Sequence, residues 1–333
     1  MKLESVTIKN YRSIEQLSFD IFQLDDKTFT YGLIGVNEAG KSTILNALAL
    51  KEGLKNVKGE PLPLVKDFKD KSKPVEIEYL YILGKVDIQE SKDYLAVHVP
   101  LIDISSIDFS HIKFTTYFDV SSPGQVKYML EIVNLPLENE HKIAIEDHLK
   151  VFISDKSHKS IFWTAEDRYL ISQPINLMQF AISPDDISVP LKNCFALAGI
   201  MGKEAIADRI ALIAESTERE QLATTLGEKV TEHINTAWPK HPIKITFEIS
   251  DSLINFHVHD LMTKGKAKTA DQRSDGFKQF VSFLLTVSAQ NKNDELSNSI
   301  LLLDEPETHL HPQAQEDLLR ELRNLGKSNQ IVF

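Results

Sequence analysis

The feature that most constrains this chain is an apolar run, Phe29-Thr30-Tyr31-Gly32-Leu33-Ile34, that leads straight into Gly35-Val36-Asn37-Glu38-Ala39-Gly40-Lys41-Ser42. Apolar residues at helical spacing, from Ile44 to Leu50, follow at once, so strand, glycine loop and helix succeed one another. A second apolar run, Ser299-Ile300-Leu301-Leu302-Leu303, stands near the other end and is closed by Asp304-Glu305. Between them, Arg273-Ser274-Asp275-Gly276-Phe277 is a polar turn opening an apolar helix. The order of the three motifs commits the chain to an α/β fold far more firmly than any one alone.

The 333 residues suffice for a large core, in one elaborate domain or two. A formal charge of −11 excludes a uniformly basic surface, though not a local basic groove. The single Cys194 has no intramolecular partner and reads as a buried structural thiol in a reducing compartment. Met1 to Ile8 alternates like a strand and lacks the apolar centre of a leader peptide. No apolar run approaches the roughly 20 residues of a membrane helix. The expected location is the cytoplasm, with no membrane partner.

Leu3, Val6 and Ile8 open a first strand, and Leu17 to Phe22 suggest a second, joined through Asn10-Tyr11-Arg12-Ser13. Lys51 to Lys73 is rich in Lys, Asp, Gly and Pro and reads as a solvated connection. Val75 to Leu83 and Ile112 to Val120 are strand-like, and the latter pairs with Lys127 to Val133 across Ser121 to Gly124. From about Leu137 to Trp238 the pattern is mainly helical. A hairpin joins Ile243–Ile249 to Leu253–Val258, and helices are expected over Gly276–Gln290 and Pro312–Leu325. The expected division is 1–74 with the glycine loop, 75–136 as an antiparallel β subdomain of the same lobe, 137–240 as a helical insertion, and 241–333 with the last two motifs.

The glycine loop has the pattern of a phosphate cradle. Its glycines let successive backbone N–H groups turn inward, and the following helix adds the positive end of its dipole. Gly35, Asn37, Glu38, Ala39, Gly40, Lys41, Ser42 and Thr43 would line the nucleotide, with Lys41 reaching its β and γ phosphates and the Ser42 hydroxyl ligating Mg²⁺. Asp304 would hold the metal's hydration shell, and Glu305 would orient or deprotonate an attacking water. Ser274 and Gly276 offer a hydroxyl, an N–H group and a helix N-terminus that can face a phosphate held by a second copy, so Ser274 would act in trans.

With these residues quoted, the chain resembles an ABC-type ATPase head of the AAA15/AAA21 and OLD-like group, related to RecF-type and chromosome-organising ATPases. The residues that carry the likeness are Ile8 to Ser13, Gly35 to Thr43, Arg273 to Phe277 and Leu303 to Pro312. The resemblance implies a mixed-sheet core with an antiparallel β subdomain and a helical insertion. It implies ATP and Mg²⁺ as ligands, and a homodimer closed around the nucleotides. It places Arg12 near the phosphates, where the alternative is an ordinary surface arginine in a turn. It makes Glu307 to His311 a loop crossing the dimer interface; a metal reading of His309 and His311 lacks a third ligand.

Two features depart from the group. The magnesium-sensing glutamine is not placed: Glu166, Gln173 and Gln179 lie near its expected position. The switch histidine should follow the last strand, where the sequence stops at Phe333, so the chain is expected to lack the head's C-terminal elements. A nuclease is not encoded in this stretch, though an effector protein, a nuclease or DNA could be a partner. Lys264, Lys266 and Lys268 could touch nucleic-acid phosphates or form a solvated loop. The expected function is an ATPase gating a nucleic-acid transaction or an antiphage effector. The alternatives are a nucleotide-gated scaffold with little turnover and, less favoured, a transporter's ATPase subunit.

Overall fold

The computed structural model describes the whole chain except residues 26, 37, 57–58, 134, 136–138, 172, 262–267, 270–273, 290–298 and 328. Its strands are β1 (Lys2–Tyr11), β2 (Ile14–Asp20), β3 (Phe29–Tyr31), β4 (Val75–Ile82), β5 (His111–Phe118), β6 (Lys127–Ile132), β7 (Lys159–Trp163), β8 (Ile175–Asn176), β9 (Ile243–Ser250), β10 (Leu253–Asp260), β11 (Lys268–Thr269), β12 (Ser299–Leu303) and β13 (Gln330–Val332). The helices are α1 (Lys41–Ala49), α2 (Lys85–His98), α3 (Asn139–Lys156), α4 (Leu177–Ile182), α5 (Pro184–Ile187), α6 (Val189–Leu197), α7 (Lys203–Ala211), α8 (Ser216–Ala237), α9 (Asp275–Phe283) and α10 (Pro312–Leu325). The chain divides into two compact units, one of Met1–Phe162, Asn298–Leu302 and Ser328–Phe333, the other of Trp163–Ser297 and Leu303–Lys327.

The first unit contains two sheets of different kinds. One is antiparallel, in the order β2-β1-β4-β5-β6. Its strands alternate: Val6 and Ile8 of β1 and Val75, Ile77 and Tyr79 of β4 are buried, while the residues between them are half-buried. The other runs β3-β13-β12-β7, with β13 parallel to both β3 and β12. All five residues of β12 are buried, as expected for a strand covered on both faces.

Sequence and structure part company at three places here. β3 ends at Tyr31 rather than Ile34; Leu33 still donates to the Phe333 carbonyl at 2.6 Å, but Ile34 is fully exposed as the chain swings into the loop. The stretch from Lys51 to Lys73 is no solvated connection, because Leu62, Asp67 and Phe68 are buried within it. Helix α2 escapes sequence reading since only Ser91 and Leu95 are buried along it, leaving little apolar periodicity.

The far end of α1 is fixed by polar groups. The Ser160 hydroxyl donates to the Leu48 carbonyl at 2.9 Å. The Lys51 ammonium donates to the Ser157 hydroxyl and, at 2.6 Å, to the His158 carbonyl. Burial pushes the Lys51 pKa down to about 8, partly opposed by Glu52.

In the second unit, α8 lies along β9 and satisfies its edge. Asn235 exchanges two 2.9 Å hydrogen bonds with the backbone of Ile243, and the Thr231 hydroxyl accepts from Ile245 N–H at 2.8 Å. The hairpin β9–β10 turns on Asp251-Ser252, with Asp251 in the left-handed region that a two-residue turn demands. Trp238, just beyond α8, donates from its indole to buried Asp317 of α10 at 2.9 Å and packs edge-on against Phe280 of α9. Arg320 pairs with the other Asp317 oxygen at 2.8 Å. Helix α9 continues into a π-helical stretch, Leu284–Ser288. Cys194 is buried on α6, and burial raises its thiol pKa. Among the described residues, no helix is long and apolar enough to cross a membrane.

Candidate functional site

In the first unit, the glycine loop closes on itself before α1 begins. Gly40 is the residue before the helix, at φ 95, a conformation open to glycine and strained for any residue with a Cβ. Glu38 is also left-handed, at φ 65. A Cβ on Gly35 would press on the Ala39 side chain at 3.1 Å, so both glycines shape the loop, by different means. The Lys41 ammonium folds back to the carbonyls of Gly35 at 2.9 Å and Val36 at 3.4 Å. No acidic residue occupies the first turn of α1, and no side chain caps it. A helix N-terminus with this lysine beside it is a place for an anion. Ser42 is exposed and Thr43 half-buried on that first turn. Asn37 lies outside the described residues.

The turn between β1 and β2 stands beside this loop. A Cβ on Gly40 would come within 3.8 Å of the Ser13 hydroxyl. Asn10 and Arg12 are both left-handed there, at φ 58 and 51. Asn10 holds its conformation by donating to the carbonyls of Asp70 and Lys73, each at 2.8 Å, and accepting from Asp70 N–H at 2.6 Å. Arg12 donates through Nε to buried Asp67 at 3.0 Å and through its backbone to the Asp67 carbonyl at 2.6 Å. Asp67 therefore sets the direction of Arg12, a tie that the composition of the connecting stretch concealed.

In the second unit, Asp304 follows β12, and its backbone N–H donates to the Trp163 carbonyl at 2.9 Å. Glu305 is exposed and left-handed, at φ 49, with the Thr308 hydroxyl 3.4 Å from its carboxylate. His309 is left-handed too, and His311 caps α10, accepting from Ala314 N–H at 3.4 Å. Ser274 caps α9, accepting from Phe277 N–H at 3.4 Å, and Asp275 pairs with Lys278 at 2.8 Å. That pairing lowers the Asp275 pKa. Gly276 lies against the 309–310 backbone: a Cβ there would overlap the His309 carbonyl oxygen and sit 3.0 Å from its carbon.

Sequence reading singled out Ser274, Gly276, Asp304 and Glu305 but missed Gln279. This side chain is 2% exposed and donates to the carbonyls of Glu305 at 3.2 Å and Pro306 at 3.3 Å. Its place one turn before Phe283 and next to Phe280, on the apolar side of α9, was the signal that could have found it. Of the glutamine-loop candidates, Glu166 pairs with Arg168 at 3.7 Å, while Gln173 and Gln179 are exposed. Arg273, Lys264 and Lys266 lie outside the described residues, as does the side chain of Lys268.

A family profile described as "AAA ATPase domain" matches residues 1–171, slightly over half the chain. The chain belongs to that AAA ATPase domain family. A second profile, described as "AAA domain, putative AbiEii toxin, Type IV TA system", matches residues 204–333. Uncharacterized protein MJECL43 of Methanocaldococcus jannaschii is 33% identical over 101 residues, 29% of this chain and 26% of that protein, so the match spans about a quarter of the relative's length. A crystal structure of an Smc head bound to the C-terminal winged-helix domain of ScpA aligns over 100% of this chain and 89% of its own, at TM-score 0.52 and 13% identity. The Smc head of Pyrococcus furiosus, with an extended coiled coil and the C-terminal domain of ScpA, aligns over 99% and 88%, at TM-score 0.51 and 12% identity. The mixed α/β architecture is thus that of an Smc-type head.

Proposed function

We propose that this chain is an ATP-binding, Mg²⁺-dependent ATPase head that closes as a homodimer around its nucleotides. The observation that carries the proposal is the loop before α1. Gly40 is left-handed, Gly35 is held against Ala39, and the Lys41 ammonium rests on two loop carbonyls that an incoming phosphate would outcompete as its partner. The donor set suits ATP and a hard cation: a helix N-terminus clear of carboxylates in its first turn, a lysine and a hydroxyl at Ser42. Ser42 and Asp304 would hold the Mg²⁺, whose chemistry is to neutralise phosphate charge.

In this reading Glu305 accepts a proton from, or aligns, the water that attacks the γ-phosphate, and Lys41 stabilises the charge on the phosphate oxygens. Gly35, Asn37, Glu38, Ala39, Gly40 and Thr43 supply the cradle. Arg12, aimed by Asp67, adds a charge from the neighbouring turn. Ser274 and Gly276 present the start of α9 to the nucleotide of the second copy. The cycle would gate a nucleic-acid transaction or a defence effector in the cytoplasm; the match of residues 204–333 to a profile described as "AAA domain, putative AbiEii toxin, Type IV TA system" supports the second role. Light scattering of Glu305→Gln with Mg²⁺-ATP tests the proposal. The variant should accumulate as a dimer, with phosphate release at least 100-fold below wild type; a monomer that turns over normally would contradict it.

A further inference from the structure

We infer that Gln279 is a positioning residue that couples the start of α9 to the backbone of Glu305, an inference resting on the hydrolytic role proposed for that carboxylate. Glu305 and His309 both occupy the left-handed region, which side chains with a Cβ avoid, so the segment between them does not keep its shape by local preference. Its internal ties include two turn hydrogen bonds, Thr308 N–H to the Glu305 carbonyl at 3.2 Å and Leu310 N–H to the Glu307 carbonyl at 3.1 Å, and the longer one from the Thr308 hydroxyl to the Glu305 carboxylate. Beyond these, the Gln315 amide of α10 donates to the Leu310 carbonyl at 3.2 Å, and α9, earlier in the chain, grips the segment as well. The Gln279 amide, sealed from water, spans the carbonyls of Glu305 and Pro306. One turn earlier, the bare α-carbon of Gly276 lies against the 309–310 backbone with no room for a Cβ.

Helix α9 therefore holds the acidic segment near both ends. A buried amide is costly unless its hydrogen-bonding groups are used, and here its donors are spent on the residue that carries the carboxylate and on the next one. Ser274 opens the same helix. An anion that draws the start of α9 towards itself will displace Glu305 as well, because the two are tied through Gln279. Nucleotide contact at Ser274 thereby sets the position of the carboxylate.

The experiment compares wild type, Gln279→Met, Gln279→Glu and Glu305→Gln, all as the full chain. It reads ATP affinity, steady-state turnover across pH and hydrogen exchange of the 305–310 amides. Methionine matches glutamine in length and lacks its donors. Gln279→Met should bind ATP within about twofold of wild type, lose turnover about tenfold and exchange faster at 305–310. Gln279→Glu keeps the size and places a carboxylate against two carbonyls. Its turnover relative to wild type should rise as pH falls and a protonated carboxyl donates again, a dependence that a purely space-filling role would not produce. Unchanged exchange and turnover in Gln279→Met would overturn the inference. Should wild type itself show no turnover, the ATPase proposal fails separately. Exchange then decides the Gln279 tie: faster at 305–310 keeps it, unchanged removes it.

Discussion

Gly40 and Gly276 are both glycines at the start of a helix, yet the structure needs each for a different reason. Gly40 has space around it, its nearest neighbour for a Cβ being the Ser13 hydroxyl at 3.8 Å, and is glycine because φ is 95. Gly276 lies outside the left-handed region and is glycine because the His309 carbonyl fills the place of a Cβ. The first requirement is local and belongs to a loop that shapes itself. The second is tertiary and belongs to a segment held by residues distant in sequence. The glycine loop accordingly takes its shape from its own residues, whereas the acidic segment is held in part by α9.

That contrast can be broken by substitution. Gly276→Ala should have the larger effect, because backbone rather than a flexible side chain must give way. Overpacking of this kind costs about 1–3 kcal/mol, seen as a lowered thermal midpoint. Gly40→Ala should cost about 1 kcal/mol, the strain of a left-handed residue with a Cβ, and should weaken nucleotide binding more than it weakens the fold. Equal melting points for the two variants would remove the distinction.

A smaller effect concerns the anchor of α1. Unfolded Lys51 keeps its proton to about 10.5, while the folded residue releases it near 8. Between those values the unfolded chain binds more protons, so stability rises with pH across that window. The gain ends near pH 9, where the buried Cys194 thiol begins to ionise in the unfolded chain first and offsets it; above about pH 10 the buried Tyr79 and Tyr81 do the same and reverse the slope. Urea midpoints at pH 7.5 and 9 should differ in favour of pH 9, and Lys51→Met should abolish that difference.

What could be read in advance follows the same division. The loop, β12, the β9–β10 hairpin and α10 were legible because glycine spacing, a fully apolar run, strict alternation and a long amphipathic face are all local patterns. Gln279 and Asp67 were not, because their importance lies in partners far along the chain, the Glu305 carbonyl and the Arg12 side chain. The stretch holding Asp67 looked solvated by composition, and its buried Leu62 and Phe68 are too few to form a pattern. The role of Arg12 was open between the phosphates and a plain turn; the structure places its turn beside Gly40 and its guanidinium on Asp67.

The most direct measurement is calorimetric binding of Mg²⁺-ATP to wild type and Lys41→Ala. Loss of one charge-assisted contact to phosphate corresponds to about 1.5–3 kcal/mol, a weakening of roughly 10- to 100-fold. Affinity should fall by that much or more in a variant whose melting point is unchanged. Equal affinity in the two proteins would contradict it.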